Sequence, residues 1–186
     1  MYTSFNSSFN KQTTYLYPGE YYSSYEDIMI STLLGSCVAV VLYDKKNGLS
    51  GMNHFMLPSS ISEEFFLSKS GKYGMYAMEL LINSLMKNGA EKKELVAKVF
   101  GGASVLKTST NHKIGVAQNN IDFAFNFLKT EGIKVISSDT GGIEARKIFL
   151  YAINGKVMMK RIASTMIEDL RKKENDYLKK IKSKYD

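Results

Sequence analysis

Residues 38–57 leave this chain little choice of local structure. Val38-Ala39-Val40-Val41-Leu42-Tyr43 is a short β-branched run and reads as a largely buried strand. Asp44-Lys45-Lys46-Asn47-Gly48 follows with turn chemistry, Asn and Gly tolerating positive φ. Residues 49–57 read as a return strand that stops at Pro58. A hairpin is the simplest account. Because side chains alternate along a strand, the length of its loop decides which residues share a face.

That parity matters because the only cysteine, Cys37, heads the first strand, and His54 lies seventeen residues later on the return strand. An even-numbered loop puts both on one face. A two-residue loop sets them directly opposite, a four-residue loop over residues 45–48 makes them diagonal neighbours, and an odd loop separates them. A free thiol titrates near ~8.5, so little is thiolate at neutral pH. A neighbouring imidazole can take the proton and later return it as an acid. A third polar group should orient the ring, and Ser31, Thr32 and Asn53 are the nearby candidates. Backbone N–H groups around Ser36 and Cys37 could stabilise an oxyanion. Taken alone, a cysteine in an apolar strand is a small core residue. An enzyme therefore requires both groups to share a pocket that solvent can reach.

The rest of the chain reads as mixed α and β. Residues 1–17 form an irregular N-terminal segment within a tyrosine-rich, weakly charged stretch, with Pro18-Gly19 as a turn. Residues 59–74 read as a loop. Met78, Leu81, Ile82 and Leu85 recur at helical spacing, as do Ile121, Ala124, Phe125 and Leu128. Strands are expected over residues 95–100 and 133–137, and a second hairpin turns at Asn154-Gly155. His112 reads as a loop residue. Residues 164–186 read as a helix carrying seven basic and five acidic residues. Two antiparallel hairpins among helices predict an α+β fold rather than a doubly wound sheet.

One cysteine and two histidines exclude a disulfide framework and any multi-thiolate zinc site. No phosphate-loop, dinucleotide or metal spacing occurs, so no metal or other cofactor is expected. The net charge of +7 favours acidic partners. Nucleic acid is not expected, because Lys and Arg are spread along the chain without a recognised motif. No apolar run is long enough to insert in a bilayer, no secretory signal is read at the start, and a cytoplasmic protein is expected.

Leu34-Gly35-Ser36-Cys37, continuing to Asp44, and Gly51-Met52-Asn53-His54-Phe55-Met56-Leu57-Pro58 together resemble the CheD family of chemoreceptor glutamine deamidases. Lys98-Val99-Phe100-Gly101-Gly102-Ala103 and Asp139-Thr140-Gly141-Gly142 with Arg146 extend the likeness over most of the chain. The resemblance implies a deamidase domain over residues 18–163, followed by the basic C-terminal helix. It implies a β-sandwich-like fold with helices on one side, similar to the catalytic domain of cytotoxic necrotizing toxins. It implies hydrolysis of glutamine side chains in the cytoplasmic region of methyl-accepting chemotaxis receptors, with receptor methyl esters as a further substrate of some members.

Cys37 is then the nucleophile and His54 the base, working through a thioester. The family's third residue, a threonine six positions before the cysteine, falls on Ser31, with Thr32 beside it as the alternative hydroxyl. Gly101, Gly102, Gly141, Gly142 and Arg146 are expected at a substrate or partner surface. Of the family's Ile-Gly-x-Arg-Asn stretch, only Asn120 remains. The rival expectation is a weakly catalytic or non-catalytic regulator binding a CheC-type phosphatase of CheY, a reading that gains weight from serine at position 31.

Overall fold

The computed structural model describes residues 1–57, 69–104, 112–162, 172, 174, 176, 177 and 179. Ten strands make two five-stranded sheets. They are β1 (Tyr2–Asn6), β2 (Lys11–Tyr15), β3 (Tyr21–Ser24), β4 (Met29–Leu34), β5 (Val38–Asp44), β6 (Leu49–Asn53), β7 (Leu95–Gly101), β8 (Lys134–Thr140), β9 (Ala145–Tyr151) and β10 (Val157–Ile162). One sheet runs β1-β2-β4-β9-β10 and the other β3-β6-β5-β7-β8. Each contains a single parallel pair among the described strands, β2 with β4 and β7 with β8. Helices α1 (Lys69–Lys87) and α2 (His112–Thr130) both contact the second sheet. The α+β class with helices on one side is the arrangement expected above. No described helix is long and apolar enough to cross a membrane.

The near-continuous apolar run of β5 follows from its place in the middle layer, where both faces are covered. Val38, Val40 and Leu42 pack with Phe55, Leu81, Leu85, Phe123 and Leu128 toward the helices. Cys37, Ala39 and Val41 pack with Met52, Met56, Ile30, Leu34 and Ile148 between the sheets. The two sets differ by one residue in parity, as strand alternation requires.

Three expectations are corrected. Residues 1–17 are not irregular: β1 and β2 form a hairpin in which Tyr2 opposes Tyr15, their rings stacked 4.8 Å apart. An edge ribbon buries few side chains, among them Thr13 and Thr14, so it lacks an apolar alternation to read. The first helix begins at Lys69, inside the loop expected to reach residue 74, and the remainder of that loop lies outside the described residues. His112 opens α2 rather than sitting in a loop. Most of the C-terminal stretch also lies outside the described residues, although those described within it carry helical backbone.

The hairpin loop is the four-residue form. Asp44 opposes Leu49, leaving residues 45–48 as the turn, and the same register continues to the Val38–Phe55 bridge. Asp44 is buried and accepts from Lys46 N–H, Asn47 N–H, Asn47 Nδ2 and Glu91 N–H. Burial works to raise its pKa, but these bonds to the ionised carboxylate outweigh it and hold the pKa below the ordinary value. Replacing Asp44 with alanine leaves four donors without their acceptor. We expect a loss of about 2–3 kcal/mol, read from urea denaturation against a Lys45→Ala control on the same turn.

Candidate active site

With the four-residue loop, Cys37 and His54 are diagonal neighbours on the face of β5 and β6 that looks toward the first sheet. Diagonal cross-strand side chains lie roughly 7–8 Å apart at their backbones, within reach of long or ring side chains. His54 is anchored on its other side by the two residues before β3: its N–H donates to Glu20 O, and its carbonyl accepts from Gly19 N–H. Asn53, one of the candidate orienting groups, is engaged elsewhere. Its Oδ1 accepts from Val40 N–H, and its Nδ2 donates to Ala77 O on α1.

The group that meets the imidazole is Thr32, not Ser31. Thr32 Oγ1 lies 2.7 Å from His54 Nδ1 and donates to Leu16 O at 2.9 Å. The hydroxyl has one proton, and the carbonyl can only accept. Thr32 Oγ1 must therefore accept from an Nδ1–H, which leaves the lone pair on Nε2. His54 Nε2 is buried with no hydrogen-bond partner among the described residues. Burial drops the His54 pKa to about 3, with the Leu16 carbonyl pulling weakly the other way. The ring is a neutral base held in one tautomer. Ser31 projects to the opposite side of β4, its hydroxyl buried and unpartnered among the described residues. On β4 the one-residue difference between 31 and 32 is a change of face.

Cys37 sits at the end of a tight turn, residues 35–37, which is held from three directions. Asn120 on α2 donates through Nδ2 to Ser36 O at 2.9 Å, and its Oδ1 accepts from Leu57 N–H at 2.7 Å. This buried amide ties the Cys37 turn to the chain just beyond His54. From behind, Gly102 N–H donates to Cys37 O and Ala103 N–H to Gly35 O, each at 2.7 Å. Gly101 O in turn accepts from Gly141 N–H, and Gly141 O accepts from Arg146 Nη2. Gly101, Gly102 and Arg146 are buried, and Arg146 also pairs with Asp139. They are therefore not a contact surface. They brace the turn that presents the sulfur, while Gly142 is exposed.

In front, the turn is occupied. Gly35 N–H and Cys37 N–H donate to Glu174 Oε1 at 3.2 and 3.5 Å, and Ser36 Oγ donates to Oε2 at 2.9 Å. The expected oxyanion donors were those of Ser36 and Cys37; the turn instead offers the amides of Gly35 and Cys37 with the Ser36 hydroxyl. The Cys37 side chain is completely buried. Burial, the Glu174 charge and a hydrogen bond to that carboxylate raise its pKa well above the ordinary thiol value, and its own backbone N–H opposes them only in part. The solvent-reachable thiol expected above is thus absent in this arrangement, with Glu174 standing directly against it. A cavity of about 180 Å³ reaches the His54 side of the site, lined among others by Leu16, Tyr17, Ser31, Thr32 and Lys147. Among the described residues no cluster of His, Cys, Asp and Glu is placed to hold a metal ion.

Sequence reasoning missed two contributors. Asn120 had been noticed only as a surviving motif residue, and its position on an otherwise apolar helix face was the available signal. Glu174 lies far along the chain in a charged stretch, and nothing local marks it.

Residues 56–161 match the family model described as CheD chemotactic sensory transduction. The chain is 39% identical over 180 residues to a protein of Janthinobacterium sp. (strain Marseille) named Probable chemoreceptor glutamine deamidase CheD, covering 96% of this chain and 88% of that one. Proteins of the same name from Methylobacillus flagellatus and Bordetella petrii are 40% and 45% identical over 181 and 160 residues. These alignments cover 96% and 86% of this chain and 88% and 70% of the respective relatives.

Two outcomes follow for stability. Gly101 and Gly141 both have φ in the left-handed region, at 108° and 75°, so an alanine at either costs about 1–2 kcal/mol of backbone strain. Only at Gly101 would the new Cβ also meet backbone, 2.3 Å from Cys37 O, whereas nothing stands within 4 Å at Gly141. We expect Gly101→Ala to be clearly the more destabilising in urea titrations. Separately, the unfolded chain protonates His54 near 6.5 while the folded chain resists until about pH 3. Stability is therefore complete above 6.5 and is lost as pH falls toward 3, by on the order of 5 kcal/mol in all. His54→Gln should flatten that part of the stability–pH curve.

Proposed function

Because the chain belongs to the CheD family, we propose that it is a protein-glutamine deamidase acting on chemotaxis receptors, with Cys37 as nucleophile and His54 as base. The relatives' name supplies the substrate class. The observation that carries the assignment to residues is the imidazole held by Thr32 with its bare Nε2 on the same sheet face as the sulfur.

Catalysis begins when Nε2 takes the thiol proton and the thiolate attacks the glutamine Cδ. The carbonyl oxygen becomes an oxyanion on the Gly35 and Cys37 amides, groups already oriented and in need of little reorganisation. The imidazolium returns its proton to the amide nitrogen, the C–N bond breaks, and ammonia leaves a thioester on Cys37. Water then gives a proton to Nε2 and attacks the same carbon, releasing glutamate and restoring the thiol. The balance is glutamine plus water to glutamate plus ammonia, and it calls for no other reactant. A methyl ester fits the same sequence with methanol as the leaving group. The net charge of +7 favours encounter with acidic receptor segments at low salt.

The alternative is a non-catalytic or weakly catalytic regulator that binds a CheC-type phosphatase, a reading to which serine at position 31 lends weight. Thr32 against the ring supports the catalytic reading instead.

The test is conversion of glutamine to glutamate in a receptor cytoplasmic fragment, followed by mass spectrometry. Cys37→Ala should abolish it. Thr32→Val should lower the rate by about 10²-fold or more through loss of the tautomer, and Ser31→Ala should leave it within a few-fold of wild type. The reverse ranking of the two hydroxyl variants would reassign the orienting group.

A further inference from the structure

The donors at residues 35–37 are filled by the chain's own C-terminal segment, and the details of that contact are specific. Glu174 uses both carboxylate oxygens, one on the amides of Gly35 and Cys37 and one on the Ser36 hydroxyl. Among the described residues no cation pairs with it: neutral N–H and O–H groups hold the charge, as they would an oxyanion or a newly formed carboxylate. Backbone at Lys172, Glu174, Asp176 and Tyr177 is helical, so Tyr177, three residues on, lies on the same face as Glu174.

Tyr177 makes a second, independent contact. It packs against the cluster that contains Cys37, and its ring presses on Gly19, where an added Cβ would stand 2.4 Å from the tyrosine oxygen. The N–H of Gly19 is the one that donates to His54 O. Glu174 thus meets the backbone of Cys37 directly, and Tyr177 meets Gly19, the residue whose N–H holds the His54 carbonyl. Lys172, Asp176 and Lys179 are exposed.

A glutamate side chain is what the reaction proposed above produces. Resting on that reading, we propose that Glu174 is a built-in product mimic: the C-terminal helix closes the active site by seating this carboxylate on the amides of Gly35 and Cys37, and a substrate glutamine must displace it. Two consequences arise from the one contact. The acyl subsite is occupied, so no carboxamide can reach the sulfur. Glu174 stands on the Cys37 amide beside the thiol, and the base is left idle, its Nε2 unpartnered among the described residues. Release of the helix reverses both at once. The ligand that the turn selects is accordingly a carboxyl or carboxamide carried on a helix, presented with an aromatic side chain about one turn away.

Because Cys37 is the only cysteine, its alkylation by iodoacetamide reports closure without reference to any activity. We expect the full-length Glu174→Ala protein to react at least about tenfold faster than wild type at neutral pH, with its rate–pH profile moved to lower pH. Asp176→Ala removes the same charge from an exposed position of the same helix and should match wild type. Equal alkylation rates for Glu174→Ala and wild type, with unchanged thermal unfolding, would overturn the proposal. So would an equal increase in Asp176→Ala, which would reduce the effect to net charge. Deamidation of a receptor fragment is measured in parallel. Faster alkylation with no deamidation in any variant keeps the closure and rejects the deamidase reading, whereas unchanged alkylation with normal deamidation does the opposite.

Discussion

The register of one hairpin carries the site. Asp44 caps a four-residue turn, and the pairing it fixes runs unbroken in register to Val38 and Phe55. One residue more or fewer in that turn would send His54 to the helix side of the sheet while Cys37 stayed between the sheets. Everything chemical then follows from placing a thiol and an imidazole on the same interior face. The cost is burial, since that face is also core. The protein meets it by giving the buried polar groups defined partners: Thr32 for the ring, Asn120 for the turn, and a stack of backbone contacts through Gly101 and Gly141 to Arg146.

Burial also sets the resting charges. The thiol is pushed up and the imidazole down, so the pair rests as neutral thiol and neutral base. A deamidase built this way has little reactivity toward stray electrophiles until something replaces Glu174 on the turn. Under the mechanism and closure proposed above, substrate selection and activation of Cys37 become a single event, because the entering carboxamide displaces Glu174.

Much of this was legible from the chain itself. The β-branched run, the turn residues and the helical spacings locate the central strands and both helices, and parity leaves Cys37 and His54 on one face for an even loop, the form that the Asp44–Leu49 pairing has. Motif position favours Ser31 with Thr32 as the alternative hydroxyl, whereas alternation favours Thr32, because Ile30, Thr32 and Leu34 share the inward face and Thr32 is the one that meets the ring. The N-terminal ribbon was missed because an edge hairpin carries almost no apolar signal. The glycine pairs were read as surface, whereas Gly101 allows the backbone to approach within contact of Cys37 O, a demand that only tertiary packing creates. Glu174 could not be found from the sequence. Its contact spans 137 to 139 residues, and local pattern carries no information at that range.

The central claim is that the sulfur of Cys37 forms a covalent bond to the substrate carbonyl, and trapping tests it most directly. Turnover of a receptor fragment in the presence of hydroxylamine offers the acyl intermediate a second nucleophile. The account predicts that glutamyl hydroxamate appears at the modified positions in proportion to hydroxylamine, at the expense of glutamate, while total loss of amide is unchanged. Glutamate formed with no hydroxamate at any hydroxylamine concentration would mean that water attacks the amide directly, and the role given to Cys37 would be contradicted.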